Sequence, residues 1–104
     1  PNRVIEYIAN NYMNAQMMIA TIADELQLHP TYLSRVFKET TGVGLQEYIV
    51  KYRINIAKKL LIENSDMSVD HIAHKVGYES IHTFIRNFKK YENQTPTQYR
   101  KSNK

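Results

Sequence analysis

Residues 44–62 read GLQEYIVKYRINIAKKLLI, the longest stretch of the chain with unbroken helical periodicity. Leu45, Ile49, Tyr52, Ile56 and Leu60 recur every three or four residues, and Tyr48, Ala57 and Leu61 widen the stripe. Gly42 and Gly44 punctuate its start and Asn64-Ser65-Asp66 its end. At roughly 1.5 Å per residue such a helix spans about 28 Å. The pattern predicts a strut with the rest of the chain hung from its two ends.

On the N-terminal side, residues 3–14 predict an amphipathic helix through Val4, Ile5, Ile8 and Ala9. Residues 19–27 predict a second, its apolar face Ile19, Ile22, Ala23 and Leu26 at i, i+3, i+4 and i+7. Pro30 suits the first position of a third helix over 30–40, because its missing N–H costs nothing there. That helix turns Leu33, Val36 and Phe37 inward and presents Thr31, Ser34, Arg35 and Lys38 on its other face. On the C-terminal side, Ser68 caps a helix carrying Val69, Ile72, Ala73 and Val76, with Asp70 at its positive end and Gly77 at its close. Residues 80–91 follow with Phe84, Phe88 and Tyr91 inward, and Thr95-Pro96 opens a short last helix through Arg100, ahead of a Lys/Ser/Asn tail expected to fray. The prediction is all-α, with seven helices.

The two flanks repeat one another. Ile22-Ala23-x-x-Leu26-x-Leu28 matches Ile72-Ala73-x-x-Val76-x-Tyr78, and Leu33-x-Arg35-x-Phe37-Lys38 matches Phe84-x-Arg86-x-Phe88-Lys89 at an offset one residue longer. Tyr48 and Tyr99 keep the longer offset. A small residue in the first helix lets its partner cross closely, and an apolar residue early in the second wedges the pair. This is a helix-turn-helix, whose second helix projects far enough to enter a DNA major groove. One match is weak, since many helical hairpins read this way; two at a near-constant offset are much stronger. The modules run from about 18 to 41 and from about 68 to 91, joined by the strut at about 44–62 and closed by the helix at about 95–101.

The exposed faces correspond too. Thr31, Ser34, Arg35 and Lys38 fall on His82, Ile85, Arg86 and Lys89. Both faces keep an Arg and a Lys, which suit guanine or phosphate contacts, and the remaining positions differ, as two unlike half-sites require. Lys38, Lys89 and Lys90 are assigned to phosphate. Ile81 and Ile85 are expected on the solvent side, where a thymine methyl would suit them, a buried edge or a partner surface being the other reading.

Composition agrees with a polyanionic partner. The net charge of +4 is unevenly placed: residues 1–50 carry three Lys/Arg against five Asp/Glu, residues 51–104 eleven against five. The absence of cysteine rules out a disulfide framework and thiolate chemistry and fits a reducing cytoplasm. No apolar run approaches about 18 residues, so no membrane span is expected. The sequence begins at Pro1 rather than Met, which suggests a piece of a longer chain.

LHPTYLSRVFKETTG, YRINIAKKLL and, above all, IAHKVGYESIHTFIRNFKKYENQTPTQYR resemble the DNA-binding domain of AraC/XylS-type transcription regulators, over roughly residues 4–100. The resemblance implies two helix-turn-helix modules on a long helix, promoter DNA as partner, and activation through RNA polymerase. It implies base-facing roles for Thr31, Ser34 and Arg35 in the first module and for Ile81, His82, Thr83, Ile85 and Arg86 in the second, with Arg100 reaching a phosphate. A sensing or dimerising domain is expected before Pro1, and two non-identical modules in one chain predict that the fragment itself is monomeric. Met18 and Gln27 depart from the pattern, standing where Ser68 and Gly77 cap and turn the second module.

Enzyme chemistry finds little support in the sequence. His71 and His74, with Asp70, sit at helical spacing, but no third metal ligand offers itself, so no metal, cofactor or catalytic residue is assigned. Repair enzymes carrying a similar domain rely on a reactive cysteine, which this chain lacks. The alternatives to sequence-specific binding are an architectural DNA binder and a helical protein-interaction module. Steep weakening with salt separates DNA binding from an apolar interface.

Overall fold

The computed structural model describes residues 2–103. Lys104, the end of the tail expected to fray, lies outside them, as does Pro1. Among the described residues there are seven helices and no strand: α1 (Asn2–Asn11), α2 (Ile19–Glu25), α3 (Pro30–Thr41), α4 (Leu45–Glu63), α5 (Val69–Lys75), α6 (Ile81–Glu92) and α7 (Pro96–Ser102). The body is elongated, 42 Å along its longest axis. α7 runs past Arg100 to Ser102, because Asn103 Nδ2 and the Ser102 hydroxyl both donate to the Tyr99 carbonyl and hold the last turn.

Two separate cores meet on α4. The first gathers Val4 and Ile8 of α1, Ile22 and Ala23 of α2, and Leu33 and Phe37 of α3 around Leu45 and Ile49. The second gathers Ile72, Ala73, Val76, Phe84 and Phe88 around Ile54, Ala57 and Leu61. Matched aromatic pairs recur, Phe37 edge-on to Tyr48 at 5.4 Å and Phe88 edge-on to Tyr99 at 5.6 Å.

The turns within the two modules are built alike. Leu28 N–H donates to Ala23 O at 2.8 Å and Tyr78 N–H to Ala73 O at 2.9 Å, and Gln27 and Gly77 each occupy the left-handed region between the bonded residues, at φ 59° and 103°. They differ in what surrounds them. A Cβ on Gly77 would lie 2.2 Å from the Tyr12 carbonyl oxygen and 2.9 Å from Arg53 Nε. Gln27 is exposed, so its side chain is tolerated at the cost of backbone strain alone. No side chain caps α2 at Met18; the Thr21 hydroxyl there accepts from Met18 N–H at 2.7 Å, whereas Ser68 Oγ in the second module accepts from His71 N–H.

Arg53 sits at the middle of α4 with 8% of its surface exposed. Its Nε donates to Tyr12 O at 3.0 Å, and its Nη2 to Asn14 O at 3.0 Å and Met17 O at 3.3 Å. Burial lowers its pKa from the usual arginine value, with Tyr78 opposing. A guanidinium remains charged at neutral pH even so. The carbonyls supply the polar partners that a buried charge requires.

Candidate nucleic-acid interface

The second helix of each module presents the polar face expected from the sequence, with different degrees of exposure. On α3, Thr31, Arg35 and Lys38 are exposed and Ser34 is half-buried. On α6, His82, Arg86, Lys89 and Lys90 are exposed and Thr83 is half-buried. Both helices are capped at the end bearing these residues: His29 Nδ1 accepts from Thr31 N–H at 3.2 Å, and Ser80 Oγ from Thr83 N–H at 3.4 Å. The His29 contact requires the tautomer protonated on Nε2. These caps hold the first turn of each helix without using the side chains that face outward.

The two matched arginines of the faces, Arg35 and Arg86, differ in their surroundings. Arg35 is paired with Glu39 one turn on, at 3.7 Å, and its guanidinium lies over the Tyr32 ring at 5.4 Å. Both members of the pair are more than half exposed, so the contact is weak and easily exchanged. Arg86 has no carboxylate partner among the described residues.

Two expectations from the sequence need correction. Ile81 and Ile85 are not solvent-face residues: both are half-buried and pack against the second core, because their spacing places them beside Phe84 and Phe88 on the inward flank of α6. Only a residual edge of each faces outward. Arg100 does not extend from the surface. Its Nε donates to Leu61 O at 2.9 Å and its Nη2 to Asn64 O at 3.2 Å and Met67 O at 2.7 Å, which closes the end of α4. Those carbonyls lie at a helix C-terminus and in the following loop, where intrahelical donors run out, and they draw in the guanidinium.

Among the described residues no group of three His, Cys, Asp or Glu side chains is placed to hold a metal. His74 Nδ1 lies 2.9 Å from the Asp70 carbonyl and 3.7 Å from its carboxylate, a local pair within α5. No described helix is long and apolar enough to cross a membrane.

The duplicated turn, the capped projecting helices and the strut between them form one arrangement, and residues 22–102 match a family profile described as "Helix-turn-helix domain". The chain belongs to the AraC-type helix-turn-helix family. The probable transcription factor PqrA of Proteus vulgaris is 40% identical over 86% of this chain and 72% of its own length. The uncharacterised HTH-type transcriptional regulator YtdP of Bacillus subtilis is 40% identical over 92% of this chain and 12% of its own. The C-terminal domain of the response regulator yesN from Fusobacterium nucleatum superposes with a TM-score of 0.89, at 35% identity and 93% coverage of both chains. The chain spans roughly a third or less of the first curated relatives it matches. In this AraC-type domain, the buried charged residue that sequence reading missed is Arg53.

Proposed function

We propose that this domain binds duplex DNA sequence-specifically, as a monomer, with α3 and α6 in successive major grooves on one side of the helix. The observation that carries the proposal is the pair of projecting basic helices mounted on one 19-residue strut. Its length of about 28 Å suits grooves about 34 Å apart. Thr31, Ser34 and Arg35 read one half-site; His82, Thr83 and Arg86 read the other, with the outer edges of Ile81 and Ile85 against thymine methyls. Lys38, Lys89 and Lys90 meet phosphates.

Relatives described as transcription regulators support a role in transcription control. Promoter activation through contact with RNA polymerase, in the cytoplasm, belongs to the same proposal. The test is selection of duplexes from a random pool by this chain, followed by footprinting and stoichiometry. An asymmetric site of about 20 base pairs bound by one chain is the expected result. A palindrome protected by two chains overturns the proposal, and equal affinity for random duplex favours an architectural binder.

A further inference from the structure

A strut alone fixes the separation of two modules but leaves each free to rock about it. Several of the contacts that cross between the modules meet at Arg53. Toward the first module its guanidinium holds the carbonyls of Tyr12, Asn14 and Met17, the loop that delivers the chain into α2. Toward the second it lies against Gly77 and over the Tyr78 ring, 5.8 Å from its centroid. Tyr78 passes the contact on to α6: its ring lies 5.4 Å from that of Phe84, and its hydroxyl accepts from Asn87 Nδ2 at 3.1 Å. The first module's loop also touches the second module's turn directly, because Tyr12 O occupies the place a Cβ on Gly77 would need. Gln16 Nε2 adds a bond to Glu79 at 2.5 Å.

Resting on the two-groove reading above, we propose that Arg53 is the positioning residue that sets the mutual orientation of α3 and α6, and with it the half-site spacing the domain accepts. A planar guanidinium bonded to three carbonyls cannot turn, whereas a lysine in its place keeps the charge and loses the fork. The second module's binding becomes intramolecular once the first has docked, and that advantage survives only when geometry lets both engage. Arg100 is the built-in control. It makes the same kind of bonds, but only to residues 61–67.

The experiment compares the parent, Arg53→Lys and Arg100→Lys on a selected duplex, on its two separated half-sites, and on duplexes with the spacer altered by one or two base pairs. The parent and Arg100→Lys should lose on the order of tenfold or more in affinity when the spacer changes. Arg53→Lys should bind each half-site within about twofold of the parent and accept the altered spacers nearly alike. Residual dipolar couplings from α3 and α6 of the free parent should fit a single alignment tensor. A folded Arg53→Lys with the parent's spacer preference overturns the proposal alone, and so does a free parent whose modules require separate tensors. Should Arg53→Lys fail to fold, that second measurement still decides. A parent that gains nothing from the second half-site overturns the two-groove reading and the proposal together.

Discussion

Arg53 and Arg100 make equivalent bonds from inequivalent places in the repeat. Each gives Nε to one carbonyl and Nη2 to two more. Arg100 directly follows Tyr99, while Arg53 stands a turn further along its helix than the position after Tyr48, the tyrosine that matches Tyr99 in packing. The clamp recurs in both halves, made each time by an arginine that directly follows a tyrosine (Tyr52-Arg53 and Tyr99-Arg100) and closing on the matching carbonyls of Asn14 and Met17 or Asn64 and Met67.

The clamp gives Arg100 a structural cost on removal. Arg100→Ala leaves the Leu61 and Met67 carbonyls without this donor and should lower stability by about 1–3 kcal/mol. The slope of log affinity against log salt should stay as in the parent, since no phosphate contact is lost. Urea denaturation and a salt titration check the two halves. A salt slope shallower by one unit with unchanged stability would restore the phosphate role.

Glu39 lies 3.7 Å from Arg35 and places a negative charge on the face that the proposal turns toward DNA. Glu39→Gln should tighten DNA binding by about two- to fivefold, within the range of an exposed ion pair. Arg86, with no such partner among the described residues, should matter more for base choice. Arg86→Ala should cost about 1–3 kcal/mol at one half-site, whereas Lys89→Ala should weaken every sequence alike. Competition binding with single-base variants of the site measures both. Equal loss on all sequences for Arg86→Ala would remove its base-reading role.

Tyr78 should make stability fall in alkali. Burial, chiefly, raises its pKa above the ordinary tyrosine value; the Asn87 hydrogen bond and Arg53 oppose this, and Tyr91 adds to it. The folded state therefore holds a proton that the unfolded chain releases near pH 10 or so. The contribution is whole below that pH and lost as pH rises toward the folded pKa. Tyr78→Phe should flatten this part of the decline, leaving the share from Tyr48, also raised by burial and by Tyr52. At neutral pH it should cost about 1 kcal/mol, because Asn87 loses its acceptor. Urea midpoints between neutrality and pH 11 or so give the comparison, and parallel curves for parent and variant would refute the assignment.

Gln27 and Gly77 invite opposite substitutions. A non-glycine residue in the left-handed region costs about 1–2 kcal/mol, and glycine returns roughly half of that as chain entropy. Gln27→Gly should therefore stabilise the domain by up to about 1 kcal/mol. Gly77→Ala should destabilise it by more than that, since its Cβ meets the Tyr12 carbonyl. Thermal melts of the two variants suffice, and a destabilised Gln27→Gly would show that its side chain contributes something beyond the strain it carries.

The helices were legible because each carries its own period and punctuation: Pro30, Gly42, Ser68 and Thr95 stand at or beside the ends the structure shows. The sides of α4 were less so. Sequence periodicity put Tyr52, Ile56 and Leu60 on the buried stripe, yet those three are half-buried and Arg53 and Ile54 are buried instead. A helix covered by two cores has no single apolar face for a periodic pattern to report. The signal for Arg53 was present in another form. It interrupts the column Leu45, Ile49, Ala57, Leu61 at four-residue spacing, and a charge in such a column needs buried partners. For Arg100, matching the repeats by Tyr48 and Tyr99 set Ile49 opposite it, which concealed the shared clamp. Ile81 and Ile85 were misplaced because α6 was read as having one boundary between inside and outside, whereas its flank is partly covered.

The meeting of two cores on α4 also bears on how the molecule breathes. Local opening of the first module would uncover Leu45 and Ile49 and leave the first turns of the strut with little to hold them. Opening of the second would do the same to the end beyond Ile54. The amides of α4 should therefore exchange with solvent at two rates, each following its own module, with the slowest protons near Arg53, where both must open. The spacer is thus no more durable than the two bodies it separates, and a domain that has lost one reading head has also begun to lose its measure of distance.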